Sequence, residues 1–271
     1  MEALRDLGWF VVNVWHAVFT VVWSALCMTV ATTAGLLGFQ RFAFSMAPRA
    51  WCPGLFWACG VKLDVRGVDN VDWSRPHVVV VNHQSMIDIP ALQLGLPTAL
   101  RFITKKELMA VPFLGHFMRS VGMIAIDRGN TTEGIQQLKE QAKRMSTDIA
   151  SVLAFAEGTR SRTGEIKPFR KGAFMLAIEA GVPVVPVSIE GARRVLPPDG
   201  FKVRPGVIRI DVGAPIATTG MTAADREALM KRAHADVVAL NVAAGGLGES
   251  SVTIDMGGAR GAPLGARPRT G

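Results

Sequence analysis

In the run Val78-Val79-Val80-Val81-Asn82-His83-Gln84-Ser85-Met86-Ile87-Asp88, four β-branched residues stand in succession, with Pro76 before them and Asn82 behind. That pattern predicts a short buried strand. The strand delivers a histidine to its own end and an aspartate five residues later. A neutral imidazole accepts a proton near neutral pH, and a carboxylate fixes its tautomer and stabilises the imidazolium that forms. A His-x-x-x-x-Asp spacing alone also fits a capped loop or a pair of metal ligands. Its weight therefore depends on what surrounds it.

On both sides of this run, residues 61–241 alternate short apolar stretches with helical patterns, which predicts an α/β domain. The predicted strands are Val61–Arg66, His77–Asn82, Leu100–Thr104, Met123–Ile126, Val152–Phe155, Val184–Ile189 and Val207–Val212. A helix from Asn130 to Arg144 would place Ile135, Leu138, Ala142 and Met145 on one face. Lys171 to Ala180 reads as a helix stopped by Gly181 and Pro183. Thr222 and Asp225 resemble a capping box ahead of Leu229, Ala233, Val237 and Leu240. The run Val182-Pro183-Val184-Val185-Pro186-Val187 reads as a buried strand whose prolines shape its edge.

Four of these strands lead directly into chemically active groups: His83, Lys105-Lys106, Asp127-Arg128 and Glu157-Gly158-Thr159-Arg160. In open α/β sheets, ligands bind outside the carboxyl ends of the strands. Parallel strands would gather a base and several cations at one rim, an arrangement suited to an alcohol whose neighbour is a phosphate. Gly158 lets the loop turn tightly and approach a ligand. Arg160 offers a planar fork that matches phosphate oxygens. From Arg160 to Lys171 there are five basic residues against one acid, Glu165. Glu157 would accept hydrogen bonds from Arg160 or Thr159 and hold the loop, or touch substrate itself. Lys105 and Arg128 are further candidate phosphate contacts, on strand-end position.

The rest of the chain points to a lipid surface. Hydrophobic residues make up 49% and charged residues 19%, with a mean hydropathy of +0.28 and a pI near 9.9. The net charge of +8 favours anionic partners. No residue from Leu7 to Gln40 carries a permanent charge. Trp9 to Phe39 as a helix would reach about 46 Å, against a hydrocarbon core of about 30 Å. It can span with tilt or form a re-entrant pair. A second apolar segment, Ala50 to Gly60, carries Trp51 and Trp57, is interrupted by Pro53 and reads as an interfacial anchor. Residues 1–60 are thus expected to be a two-helix membrane element, with the residue-41 end on the cytoplasmic side. His16 is expected to be packed or interfacial. Cys27, Cys52 and Cys59 form no disulfide framework and suit a reducing compartment. Residues 242–271 hold eight glycines and three late arginines, which reads as a flexible basic tail.

Four ordered blocks carry a resemblance to the lysophosphatidate acyltransferase family (1-acyl-sn-glycerol-3-phosphate acyltransferases, PlsC type). They are Asn82 to Asp88, Gly122 to Arg128, Phe155 to Ser161, and Val182 to Val187, with Lys167 to Phe174 joining the last two. The resemblance covers about residues 50–215. One departure is Ala156, where the family usually has proline. The resemblance implies a glycerolipid acyltransferase-like fold, a mixed, largely parallel sheet flanked by helices. It implies transfer of an acyl chain from acyl-CoA or acyl carrier protein to the sn-2 hydroxyl of lysophosphatidate, giving phosphatidate. His83 would be the base and Asp88 its orienting partner. The third block, Glu157, Gly158, Thr159 and Arg160, would hold the phosphate. No metal or cofactor is implied. The expected setting is the cytoplasmic face of a bacterial inner membrane.

Other readings stay open at this level. Ser85 allows a Ser-His nucleophile, although no Gly-x-Ser-x-Gly elbow occurs. A metal-dependent phosphoesterase would use His83 and Asp88 as ligands, but His77, His116 and His234 are scattered. A non-catalytic lipid-binding protein would share the membrane element and basic rim. Other acceptors, such as lyso-ornithine lipid, are acylated by relatives with these blocks. Nucleic-acid binding lacks a recognised motif.

Overall fold

The computed structural model describes residues 2–112, 114–120, 123–126, 136–137, 140–143, 145 and 150–250. Helices α1 (Glu2–Leu36), α2 (Gln40–Met46) and α3 (Cys52–Cys59) come first, with a π-helical turn, Ala47–Trp51, between the last two. Then follow β1 (Val61–Arg66), β2 (Val78–Val81), α4 (Asp88–Gly95), β3 (Leu100–Lys105), α5 (Leu114–Ser120), β4 (Ile124–Ile126) and β5 (Ser151–Phe155). The series ends with α6 (Gly172–Ala180), β6 (Val184–Glu190), α7 (Ala192–Val195), β7 (Gly206–Val212) and α8 (Arg226–Ala243).

The seven strands form one sheet in the order β1-β7-β6-β2-β5-β3-β4. Strands β2 to β6 run parallel to one another. β7 runs antiparallel to β6, and β1 parallel to β7. The sheet is therefore mixed and largely parallel, as the sequence predicts. The four valines of β2 show why this strand lies inside it. Val79 and Val81 enter one apolar core with Leu92, Leu153 and Ile189. Val78 and Val80 enter the other, with Phe174, Leu176 and Val152. Side chains alternate across a strand, so a continuous apolar run must be covered on both faces. Each valine is fully buried, and each such burial stabilises the fold by roughly 1.5–3 kcal/mol.

β6 is the buried strand expected: all seven residues are buried, and it pairs on both sides, so it lies inside the sheet. Pro186 is tolerated because its carbonyl faces Gly213, whose N–H it accepts at 2.9 Å. The ladder with β7 begins only at Val187, so the missing proline N–H breaks no rung. Pro53 does not end the helix: it stands at the start of α3, directly after the π-helical turn, and the helical run continues through residues 40–59 with its hydrogen-bond ladder re-registered just ahead of the proline. Residues 242–250 do not behave as a tail: Ser250 N–H donates to Ile166 O at 2.9 Å, and Ile166 N–H to Gly248 O at 2.7 Å. Fully buried Asn241 accepts the Gly248 N–H. Residues 251–271 lie outside the described residues. So does most of the helix expected from Asn130 to Arg144, although Ala142 and Met145 of its apolar face are buried.

α1 is the one helix among the described residues that is long and apolar enough to cross a membrane. Its outer surface exposes Phe10, Trp15, Val21, Val22 and Leu26, while His16, Cys27, Ala31 and Ala34 face protein. His16 is thus packed, as expected. Trp51 Nε1 donates to Ser24 Oγ at 2.9 Å, and Trp23 Nε1 to Trp51 O at 3.1 Å. These bonds tie the segment before α3 to α1. The three cysteines are free and buried.

Candidate active site

β2 and its two parallel neighbours, β5 and β6, carry their carboxyl ends to one rim, with Val81 level with Phe155 and Val187. Three loops meet there. The first is anchored by Asn82, whose amide bridges to β6: Nδ2 donates to Ile189 O, and Oδ1 accepts the Ile189 N–H, both at 2.9 Å. His83 follows, and its ring stacks on Phe155 with centroids 3.8 Å apart.

His83 Nδ1 lies 2.7 Å from Asp88 Oδ2. The same oxygen accepts the N–H groups of Gln84 at 2.7 Å and Ser85 at 2.8 Å. Asp88 is fully buried as the first residue of α4, where the positive end of the helix favours a carboxylate. An acceptor facing Nδ1 puts the ring proton there and leaves Nε2 as the basic nitrogen. The His83 side chain keeps 13% of its surface open, enough for a reactant to reach it. Ser85 does not share in this. It is fully buried, and its hydroxyl donates to Leu196 O at 2.6 Å.

Glu157 has a different task from the one expected. It binds neither Arg160 nor Thr159. Its Oε1 accepts the His83 main-chain N–H at 2.8 Å, and its Oε2 accepts the Lys167 N–H at 3.2 Å. Burial raises its pKa to about 7 against the opposing pull of those bonds and of Lys167, with Asp88 raising it further. His83 O accepts the Ser161 N–H at 2.7 Å, so the histidine is held by the arginine-bearing loop through both main-chain groups. Gly158 turns at φ +74°, and a Cβ there would collide with the Arg170 guanidinium.

Arg160 Nη1 donates to Pro198 O at 3.0 Å. The guanidinium borders a cavity of about 350 Å³ that also touches Thr20, Trp51, Leu55, Met86 and Phe201. This cavity lies between the N-terminal helices and the histidine loop. Thr159 is exposed beside it in the turn. Three cations around the loop rest on carbonyl oxygens: Lys167 on Arg160 O, Arg170 on Glu157 O and Arg193 on Arg162 O, each at 3.3 Å, while Arg162 pairs with Asp199 at 3.4 Å. Neutral partners leave their charge uncompensated, which suits an anionic ligand. Lys105 closes β3, two strands away from β2, and its side chain lies outside the described residues. Arg128 lies outside them altogether.

A third group at this rim is Glu190, the last residue of β6. It is buried, accepts from Gln84 Nε2 at 2.9 Å and pairs with Arg194 at 2.8 Å. The sequence signal for it was an acid placed directly after a buried apolar strand, before a turning glycine. Among the described residues no three His, Cys, Asp or Glu side chains cluster as a metal site.

A family model described as Acyltransferase matches residues 62–190, a span that contains all four blocks. The human 1-acyl-sn-glycerol-3-phosphate acyltransferase beta is 32% identical over 218 residues, which are 79% of this chain and 78% of that protein. The mouse 1-acyl-sn-glycerol-3-phosphate acyltransferase alpha is 32% identical over 74% of this chain and 71% of its own length. The crystal structure of the acyltransferase PlsC from Thermotoga maritima shares the fold, with a TM-score of 0.68 at 24% identity over 89% of this chain and 98% of that one. With its rim built on the matched span and its relatives aligned over most of both chains, this chain belongs to the 1-acyl-sn-glycerol-3-phosphate acyltransferase family and is an acyltransferase enzyme.

Proposed function

We propose that this enzyme transfers an acyl chain from the thioester of acyl-CoA or acyl carrier protein to the sn-2 hydroxyl of 1-acyl-sn-glycerol-3-phosphate, producing phosphatidate. The observation that carries this reading is the His83–Asp88 pair, 2.7 Å apart, at the same rim as Arg160. His83 Nε2 takes the hydroxyl proton as that oxygen attacks the thioester carbonyl. Asp88 stabilises the imidazolium. The tetrahedral intermediate then expels the thiolate, which recovers the proton from His83. One C–O bond forms, one C–S bond breaks, and the acceptor alcohol stands where a serine nucleophile would otherwise be needed. The buried, fully engaged Ser85 favours this direct route. Arg160 binds the acceptor phosphate, Glu157 and Gly158 shape its loop, and the cavity beside Arg160 receives an acyl chain. Lys105 and Arg128 are proposed as outer phosphate contacts. The reaction needs no cofactor.

The enzyme sits on the cytoplasmic face of a bacterial inner membrane in this proposal, a reading supported by the exposed apolar face of α1. The test is acyl transfer by detergent-solubilised protein supplied with lysophosphatidate and either donor. Phosphatidate is expected, and His83→Ala should lower kcat by about 10²–10⁴-fold. Thioester cleavage without phosphatidate would move the acceptor to another lysolipid, lyso-ornithine lipid first. Failure of folded protein to acylate any lysolipid would overturn the reading.

A further inference from the structure

Lys202 and Arg204 serve neither the fold nor the catalytic rim. Both are exposed, and among the described residues neither side chain has an ion pair or hydrogen bond. Val203 between them is 2% exposed, and its N–H donates to Asn13 Oδ1 at 2.7 Å. Asn13 is a polar residue within the charge-free stretch of α1, and its Nδ2 is anchored on Trp9 O at 2.8 Å. The clamp holds the 201–204 segment along the flank of α1.

A groove of about 960 Å³ lies between the two. Trp9, Phe10, Val14 and Ala17 of α1 form its apolar wall. Phe201, Lys202 and Arg204 stand on the other side, and among the described residues no acid lines it. Trp9, Phe10 and Val14 are exposed large apolar residues on the helix that meets lipid. Phe201 also borders the cavity beside Arg160, so the groove and that cavity are neighbours across one ring.

We propose that this groove binds one molecule of an anionic glycerophospholipid from the host bilayer. Its phosphate sits at Lys202 and Arg204, and an acyl chain lies along Trp9, Phe10, Val14 and Ala17. Charge complementarity selects the headgroup, since Lys202 and Arg204 together match one phosphate anion. The apolar wall selects a chain-bearing ligand, because a free anion would leave that wall wet. A neutral phospholipid would fill the wall and leave the cations unmatched. The bound lipid fixes the depth and tilt of the domain so that the Arg160 cavity opens at headgroup level. This site is separate from the acyl-transfer chemistry and stands without it.

The test is native mass spectrometry of the full chain in neutral detergent, titrated with phosphatidylglycerol or phosphatidylcholine. One phosphatidylglycerol should stay bound at concentrations that retain no phosphatidylcholine. Lys202→Gln with Arg204→Gln should weaken it on the order of 25-fold, about fivefold per near-surface cation. Ala17→Trp fills the groove without changing charge and should weaken it tenfold or more; Val14→Trp repeats that arm at a more exposed position. Lys231→Gln with Arg232→Gln removes the same charge from α8 and should leave binding unchanged. Equal loss in both charge variants with normal binding by the tryptophan variants would overturn the groove in favour of diffuse attraction. Equal retention of both lipids would overturn the headgroup selection. Displacement of phosphatidylglycerol by equimolar lysophosphatidate would make the occupant the acceptor and overturn the bilayer-lipid assignment.

Discussion

Two loops leave adjacent parallel strands, β2 and β5, and reach the same rim, yet they are built in opposite ways. In the histidine loop nearly every polar atom is committed: three donors converge on one oxygen of Asp88, Asn82 is bonded across to β6, and Ser85 to the end of α7. In the arginine loop Arg160, Lys167 and Arg170 lean on main-chain carbonyls at 3.0–3.3 Å and keep donors to spare. The difference separates two demands. A group that moves a proton must be fixed in one tautomer and one direction. Groups that seat a charged substrate must retain unsatisfied hydrogen-bonding capacity until the substrate arrives. Glu157 joins the two, accepting one N–H from each.

The sharpest way to break this contrast is Asp88→Asn. Two main-chain N–H groups point at Oδ2, so the amide should turn its oxygen there and still accept from His83 Nδ1. The tautomer survives and only the charge is lost. A kcat fall of about 10²–10³-fold is expected, at the lower half of the range for general-base loss. The new amide nitrogen would occupy the place of Asp88 Oδ1, which has no partner among the described residues. An orphaned donor should therefore destabilise the protein by about 1–3 kcal/mol. Steady-state kinetics beside a thermal melt checks both, and an unchanged kcat would remove Asp88 from the chemistry.

The joint between the loops has its own pH signature. Glu157 titrates near 7 when folded against an ordinary 4.5. Between those values the folded chain holds a proton that the unfolded chain has released. The associated stability is complete below about pH 4.5 and is lost as pH rises through 7. The span corresponds to on the order of 3 kcal/mol. Glu157→Gln does not titrate, so wild type should be more stable relative to it at pH 5 than at pH 8. Melts of both proteins across that range decide the matter, and a constant gap would mean that the carboxylate is ionised throughout.

On the other loop, Arg160→Ala should raise the KM for lysophosphatidate by roughly 10–100-fold, the worth of charge-assisted hydrogen bonds. The KM for the donor should stay within about twofold, a difference too small to register as a lost contact. Arg160→Lys should recover only part, because a point charge does not reproduce the planar fork. A rise confined to the donor would reverse the assignment and make this loop the thioester-binding side.

What the sequence revealed divides along the same line. All seven strands were legible, because uninterrupted valine runs and strand-end punctuation are local signals. The pairing of His83 with Asp88 was also legible, since five residues of chain can close only a small loop. The partners of Glu157 were not. His83 is 74 residues away, and the accepted groups are main-chain N–H donors that leave no mark on residue type. How β6 accommodates Pro186 inside the sheet was hidden for a related reason: the answer lies in the register of β7. Glu190 was passed over because its partner Gln84 lies 106 residues away. The cation–carbonyl contacts of the arginine loop are likewise tertiary, although the basic cluster itself was plain.

The smallest expected effect bears on the committed loop. Ser85→Ala removes a hydroxyl bonded to Leu196 O and, at 3.3 Å, to the Ile87 N–H. The buried carbonyl then loses a donor, and stability should fall by about 1–2 kcal/mol. Activity should stay within a few-fold, because a buried oxygen bonded to Leu196 O is a poor nucleophile. If Ser85 instead carried an acyl group, the variant would lose transfer as completely as His83→Ala. The two readings differ by two or more orders of magnitude in kcat, far beyond what a modest loss of stability produces in an assay run well below the melting point. A structural serine in a loop that also holds the base is what the closed geometry around Asp88 requires, since any group left free to compete for Nδ1 would undo the tautomer that the three converging donors set.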